Sequence, residues 1–287
     1  MMGSSARAAV LSAAATLLAL TACTSVPSAD ERAQLAQALA ASHGWHRETL
    51  PTDSFAITAW LPPRIESTGD LVIYIEGDGL AWTASDTPSR DPTPLSPMAL
   101  RLALAQPGGN AAYLARPCQY ALETAHCEQR YWTSRRFAPE VIGAMNQATD
   151  DLKQRFRASR LILVGYSGGA AVAALLAARR TDVAGLVTVA GNLDHHAWTE
   201  WHRASPLTGS LNPADEEARL RRIPQRHFTG ANDRIVPPAL LEAFAAQMPD
   251  AKLEILEGYD HQCCWAENWP ALWRSIDWNP PTPAAAR

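Results

Sequence analysis

Apolar residues in this chain follow two rhythms that alternate from one end to the other. Continuous apolar runs at 71–75 and 161–164 read as strands buried on both faces, and 183–190 reads as a further strand. Mixed runs at 110–115, 226–230 and 252–256 also read as strands, and 55–61 alternates until Pro62 and Pro63 stop it. Stretches of helical spacing lie between them. Leu35 and Leu39 sit four apart within 31–42, with Gly44 just beyond. Pro139 opens a strong helix in which Val141, Ile142, Met145, Leu152 and Phe156 share a face. Further helices are predicted at 98–105, 170–178, 239–248 and 270–276. Strands alternating with helices predict an α/β fold, a mostly parallel central sheet with helices on both faces. Residues 43–287 read as one domain, interrupted by a polar, tryptophan-containing insertion at 192–222. With Trp198 and Trp201, that insertion reads either as a small cap over a pocket or as a solvated connection.

Composition adds little until the first residues are reached. The 287 residues carry 47% hydrophobic and 19% charged side chains, ordinary for a globular protein. A net charge of -4 gives no basic surface for nucleic acid. Arg7 followed by an apolar run at 8–20, too short to span a bilayer, has the form of a signal peptide. The next residues, Leu20-Thr21-Ala22-Cys23, resemble a bacterial lipobox. That resemblance implies removal of 1–22, acylation of Cys23 and an exported lipoprotein held at the membrane through this anchor. Residues 23–42 would then be a tether and its first helix. Thr24 in place of an aspartate resembles lipoproteins sent to the outer membrane.

The chemistry gathers at Gly165-Tyr166-Ser167-Gly168-Gly169. A buried strand runs into this motif and a small-residue helix leaves it, which is the setting that a nucleophilic serine on a tight turn requires. Here the chain resembles the α/β-hydrolase family of serine hydrolases. The resemblance implies a nucleophile at Ser167, an oxyanion donor in the N–H of Gly168, and an acid and a histidine later in the chain. Asp233, in Gly230-Ala231-Asn232-Asp233 with Val236-Pro237 beyond, matches the acid loop. His261, in Gly258-Tyr259-Asp260-His261 after the last strand, matches the histidine. Asp194 is the rival acid, and Asp260 adjoins His261 too closely in sequence for easy geometry.

The second oxyanion donor should come from Glu76-Gly77-Asp78-Gly79, through the backbone N–H of Asp78 or Gly79. Two carboxylates stand where many esterases of the family carry His-Gly-Gly-Gly. A carboxylate beside a developing oxyanion opposes it, so these side chains must turn away or meet a cation, with Arg90, Arg116, Arg135 and Arg136 as candidates. Of the remaining cysteines, Cys118 and Cys127 close a short loop and are the favoured disulfide pair. Cys263 and Cys264 are left as vicinal partners of each other or as separate partners of the first two. No metal site or cofactor is called for, since no clustered Cys or His set has ligand spacing. The expected activity is acyl transfer from a small-molecule ester. A peptidase or amidase with the same residues, and a ligand-binding lipoprotein without turnover, remain as alternatives.

Overall fold

The computed structural model describes residues 26–66, 69–123 and 126–277. The proposed signal peptide and Cys23 lie outside the described residues. Ten strands and eight α-helices are present among them: β1 (His46–Pro51), β2 (Ala56–Leu61), β3 (Asp70–Ile75), β4 (Trp82–Ala84), β5 (Thr87–Pro88), β6 (Asn110–Leu114), β7 (Arg160–Tyr166), β8 (Val183–Val189), β9 (Gln225–Gly230) and β10 (Lys252–Leu256). The helices are α1 (Ala29–Ser42), α2 (Met98–Leu104), α3 (Pro139–Phe156), α4 (Gly168–Ala177), α5 (His195–Trp201), α6 (Glu217–Leu220), α7 (Pro238–Ala245) and α8 (Trp265–Arg274). Eight strands form one sheet in the order β1-β2-β6-β3-β7-β8-β9-β10, while β4 and β5 make a separate two-stranded ribbon. From β6 to β10 every pairing is parallel, and β1 and β2 extend the edge antiparallel.

The period of two along each strand decides which face a residue serves. In β3, Leu71, Ile73 and Ile75 face the core built by α3, α4 and α7, whereas Val72 and Tyr74 face α2 and α8. Strand β7 divides in the same way, with Leu161 and Leu163 on one side and Ile162, Val164 and Tyr166 on the other. Each such side chain, fully buried, contributes roughly 1.5–3 kcal/mol relative to an exposed position. Helix α4 is buried along its whole length, which accounts for an alanine-rich sequence with no polar stripe.

Three local features differ from the sequence expectation. Strand β1 carries only Leu50 as a buried residue, so its polar pattern gave no strand signal, and pairing with β2 is what forms it. Helix α8 begins five residues before Pro270, not at it. The buried face of Trp265, Trp269 and Leu272 holds the helix together through the missing N–H of the proline. Helix α1 starts earlier as well, at a capping box in which Ser28 and Glu31 satisfy each other's backbone N–H groups.

Candidate active site

The candidate residues Ser167, Asp233 and His261 lie beyond the carboxyl ends of parallel strands β7, β9 and β10. Strand β7 ends at Tyr166, and Ser167 follows with φ 51 and ψ -121, a conformation that costs a non-glycine residue about 1–3 kcal/mol. The turn closes because its neighbours have no side chains to clash. A Cβ at Gly165 would come 2.4 Å from Ala170 Cα, and one at Gly169 would come 2.3 Å from the Ile75 carbonyl oxygen. The strain projects the Ser167 hydroxyl from the sheet edge, while the N–H of Ser167 is held by the Val189 carbonyl at 3.0 Å.

Asp233 and His261 meet Ser167 there. His261 Nε2 is 3.0 Å from Ser167 Oγ, and His261 Nδ1 is 2.8 Å from Asp233 Oδ2. The Asp233 contact fixes the ring proton on Nδ1 and leaves Nε2 free to accept from the serine. Asp233 is itself fixed: its Oδ1 accepts the N–H groups of Ile235 and Val236, each at 2.8 Å, and its side chain is fully buried. The histidine loop is held from two sides. Tyr166 donates its hydroxyl to the His261 carbonyl at 2.8 Å, and the Trp265 indole N–H reaches the Asp260 and His261 carbonyls. Neither residue was singled out from the sequence. Tyr166 is the variable position of its motif, and nothing in the order of residues ties it to a loop 95 positions away.

The rival residues have other partners. Asp194 caps α5, accepting from the N–H groups of His196 and Ala197 and from the Asn212 amide. Asp260 shapes its own turn by accepting from the N–H groups of Gln262 and Cys263, bonds that hold its carboxyl below the ordinary range. His227 is buried against Thr188, and burial brings its pKa down to about 3. Cys118 is bonded to Cys127, and Cys263 to Cys264, so the vicinal alternative is the one found.

The loop after β3 resolves the question of the two carboxylates. Glu76 is 1% exposed and points away from Ser167 toward the start of α2. Its Oε1 accepts the N–H of Gly77 at 2.9 Å and that of Ala99 at 3.3 Å, so it serves as a cap for a helix whose own N-terminal residue supplies none. Burial pushes its carboxyl up to about 7. Asp78 meets cations instead. Its two oxygens lie 3.2 Å from Arg116 Nη1 and 2.6 Å from Arg136 Nη1. Burial raises the Asp78 carboxyl, but the two guanidinium groups outweigh that and hold it below the ordinary carboxylate range. Arg135 pairs elsewhere, with Glu140.

This Arg–Asp–Arg cluster packs directly against the Ser167 turn. A Cβ at Gly168 would come 2.2 Å from Asp78 Oδ1, and one at Gly77 would come 3.3 Å from Ser167 Cβ. Gly168 opens α4, so its N–H has no carbonyl one turn back to bind, and the helix dipole adds positive potential there. With the Gly77 N–H held by Glu76, the next N–H along the loop is that of Asp78. Gly79 sits at φ 63, and a Cβ there would come 2.0 Å from the Pro92 carbonyl oxygen.

A cavity of about 380 Å³ opens over Ser167, lined among others by Trp82, Leu95, Met98, Arg136, Trp198 and Ile235. Trp198 comes from α5 in the 192–222 insertion and donates its indole N–H to the Ile235 carbonyl at 2.7 Å. No group of three or more metal-ligating side chains occurs among the described residues.

No family model matches the sequence, and no curated protein is detectably similar to it. Solved structures are similar in fold. An esterase from Pyrococcus furiosus superposes with a TM-score of 0.56 at 14% identity, covering 82% of this chain and 90% of its own. An alpha-beta serine hydrolase homologue from Coxiella burnetii gives 0.53 at 15% identity, over 80% and 94% of the two chains. A predicted CIB-like hydrolase from Thermoplasma acidophilum gives 0.52 at 15%, over 80% and 95%. Sheet order, the placement of helices on both faces and these superpositions agree: the chain has the α/β-hydrolase fold.

Proposed function

We propose that the protein is a serine hydrolase that cleaves carboxylic esters through an acyl-enzyme. The observation that carries this reading is the hydrogen-bonded series Ser167–His261–Asp233 at the mouth of a cavity, with a helix N-terminus beside the serine. In the first step His261 Nε2 takes the Ser167 proton as Oγ attacks the acyl carbonyl carbon. The carbonyl oxygen becomes an oxyanion and is met by the N–H groups of Gly168 and Asp78. Collapse of this intermediate breaks the bond to the alkoxide, which leaves with the proton carried by His261. A water molecule then gives its proton to His261 and attacks the acyl-enzyme; the acid departs and Ser167 regains its proton. Asp233 holds the imidazole tautomer and stabilises its cation throughout. The guanidinium groups of Arg116 and Arg136 offset the Asp78 charge that would otherwise oppose the oxyanion.

The structural neighbours that are esterases and hydrolases are consistent with this reading. The lipobox-like Cys23 supports the further proposal of an exported, membrane-anchored protein. A panel of p-nitrophenyl esters and matched p-nitroanilides tests the activity. Turnover of the esters that disappears in Ser167→Ala is expected, and full ester turnover by that variant would refute the assignment.

A further inference from the structure

Eight large apolar side chains stay exposed among the described residues, and three of them, Trp82, Leu95 and Ile235, line the cavity over Ser167. They are 40%, 45% and 52% exposed and come from three separate segments, so nothing local in the sequence groups them. Exposed apolar groups collected around a pocket mark a surface that meets something apolar. Trp201, 55% exposed, lies one helical turn beyond Trp198 on α5.

The first described helix that follows Cys23 in the chain is tied close to that mouth. Helix α1 is clamped to the loop that forms it by Arg32, which is 5% exposed. The Arg32 guanidinium binds the carbonyls of Ser28, Asp91 and Thr93 and the carboxylate of Asp91. Ser28 and Thr93 therefore flank a single guanidinium, and Leu95 is two residues beyond Thr93, within about 7 Å along the chain. Four residues separate Cys23 from Ser28, so the five steps between them reach about 18 Å at full extension. A globule of this size is roughly 45 Å across. An acylated Cys23 is thus too short a leash to let the cavity mouth sit on the side of the molecule remote from the bilayer.

We propose that the mouth of the Ser167 cavity rests on a phospholipid surface through Trp82, Leu95 and Ile235, and that the protein takes its ester from an amphiphile held in that surface. The proposal rests on the hydrolase reading and on acylation of Cys23. Tryptophan suits the position, since its ring is apolar and its N–H tolerates the wet headgroup region. Binding of this kind strengthens with buried apolar area and adds to a covalent anchor.

The test uses the mature acylated protein in vesicles of phosphatidylethanolamine and phosphatidylglycerol, with acylation of Cys23 verified by mass. Brominated phospholipid should quench a fluorescence component that is present in the wild type and missing in Trp82→Phe. In the same vesicles, Leu95→Asp with Ile235→Asp should lower kcat/KM for p-nitrophenyl palmitate at least ten-fold more than for p-nitrophenyl acetate in the aqueous phase. Equal falls for both esters, or quenching identical in wild type and Trp82→Phe, would overturn the proposal. A second copy of the chain covering the rim would leave Trp82 unquenched and would also overturn it. An unacylated Cys23 would remove the leash and overturn the orientation. Quenching needs no turnover, so a protein inert to both esters but quenched at Trp82 would refute the hydrolase reading and leave the surface contact standing.

Discussion

Glu76 offers a prediction whose size follows from the structure. Its carboxyl titrates near 4.5 when exposed and is pushed up to about 7 by burial between β3 and α2. The folded protein therefore holds this proton more tightly than the unfolded chain, and stability falls as pH rises through the window between those two values. The stabilising contribution is complete below pH 4.5 and gone above pH 7. A gap of about 2.5 pKa units corresponds to a ceiling of about 3 kcal/mol. Glu76→Gln keeps an oxygen able to accept from the N–H groups of Gly77 and Ala99 but removes the titration. Thermal unfolding of both proteins, followed by circular dichroism from pH 4.5 to 8, reads the difference. The variant should gain on the wild type as pH rises, by roughly 6–12 °C in Tm across the range, at about 2–4 °C per kcal/mol. A gap that stays constant, or one that widens toward acid, would refute the assignment of a protonated, helix-capping Glu76.

Four further substitutions test the site and the fold around it. Asp78→Asn leaves Arg116 and Arg136 facing each other without their counter-charge, so a loss of about 3–5 kcal/mol in denaturant unfolding is expected together with lower kcat. Increased activity would instead make the Asp78 charge a burden. Asp233→Asn should lower kcat by about 10⁴, as in other serine triads that lose the acid orienting the histidine, with KM little changed in steady-state assays. Gly168→Ala forces a Cβ to 2.2 Å from Asp78 Oδ1 and should abolish activity. Gly143→Ala in α3 meets open space and should stabilise the fold by about 0.5–1 kcal/mol.

The sheet was legible because its central strands are buried on both faces, so β3 and β7 carry unbroken apolar runs at 71–75 and 161–164. Strand β1 was not, because it lies at a solvated edge and Leu50 is its single buried residue. The three residues of the candidate triad stand directly after strands, where local sequence marks them. Their mutual distances, and the pairing of Asp78 with arginines 38 and 58 residues away, depend on how the strands are ordered in the sheet. No local pattern carries that order. Helix α8 starts ahead of Pro270 for a related reason: the proline is a strong local signal, but the tertiary burial of Trp265 and Trp269 outweighs it.

The central claim is that Ser167 is a nucleophile activated by His261. The most direct measurement is treatment with a fluorophosphonate, followed by intact mass and peptide mapping of wild type, Ser167→Ala and His261→Ala. A single adduct on Ser167 is predicted, absent in Ser167→Ala and formed far more slowly in His261→Ala. Absence of any adduct, or one on another residue, would contradict the account.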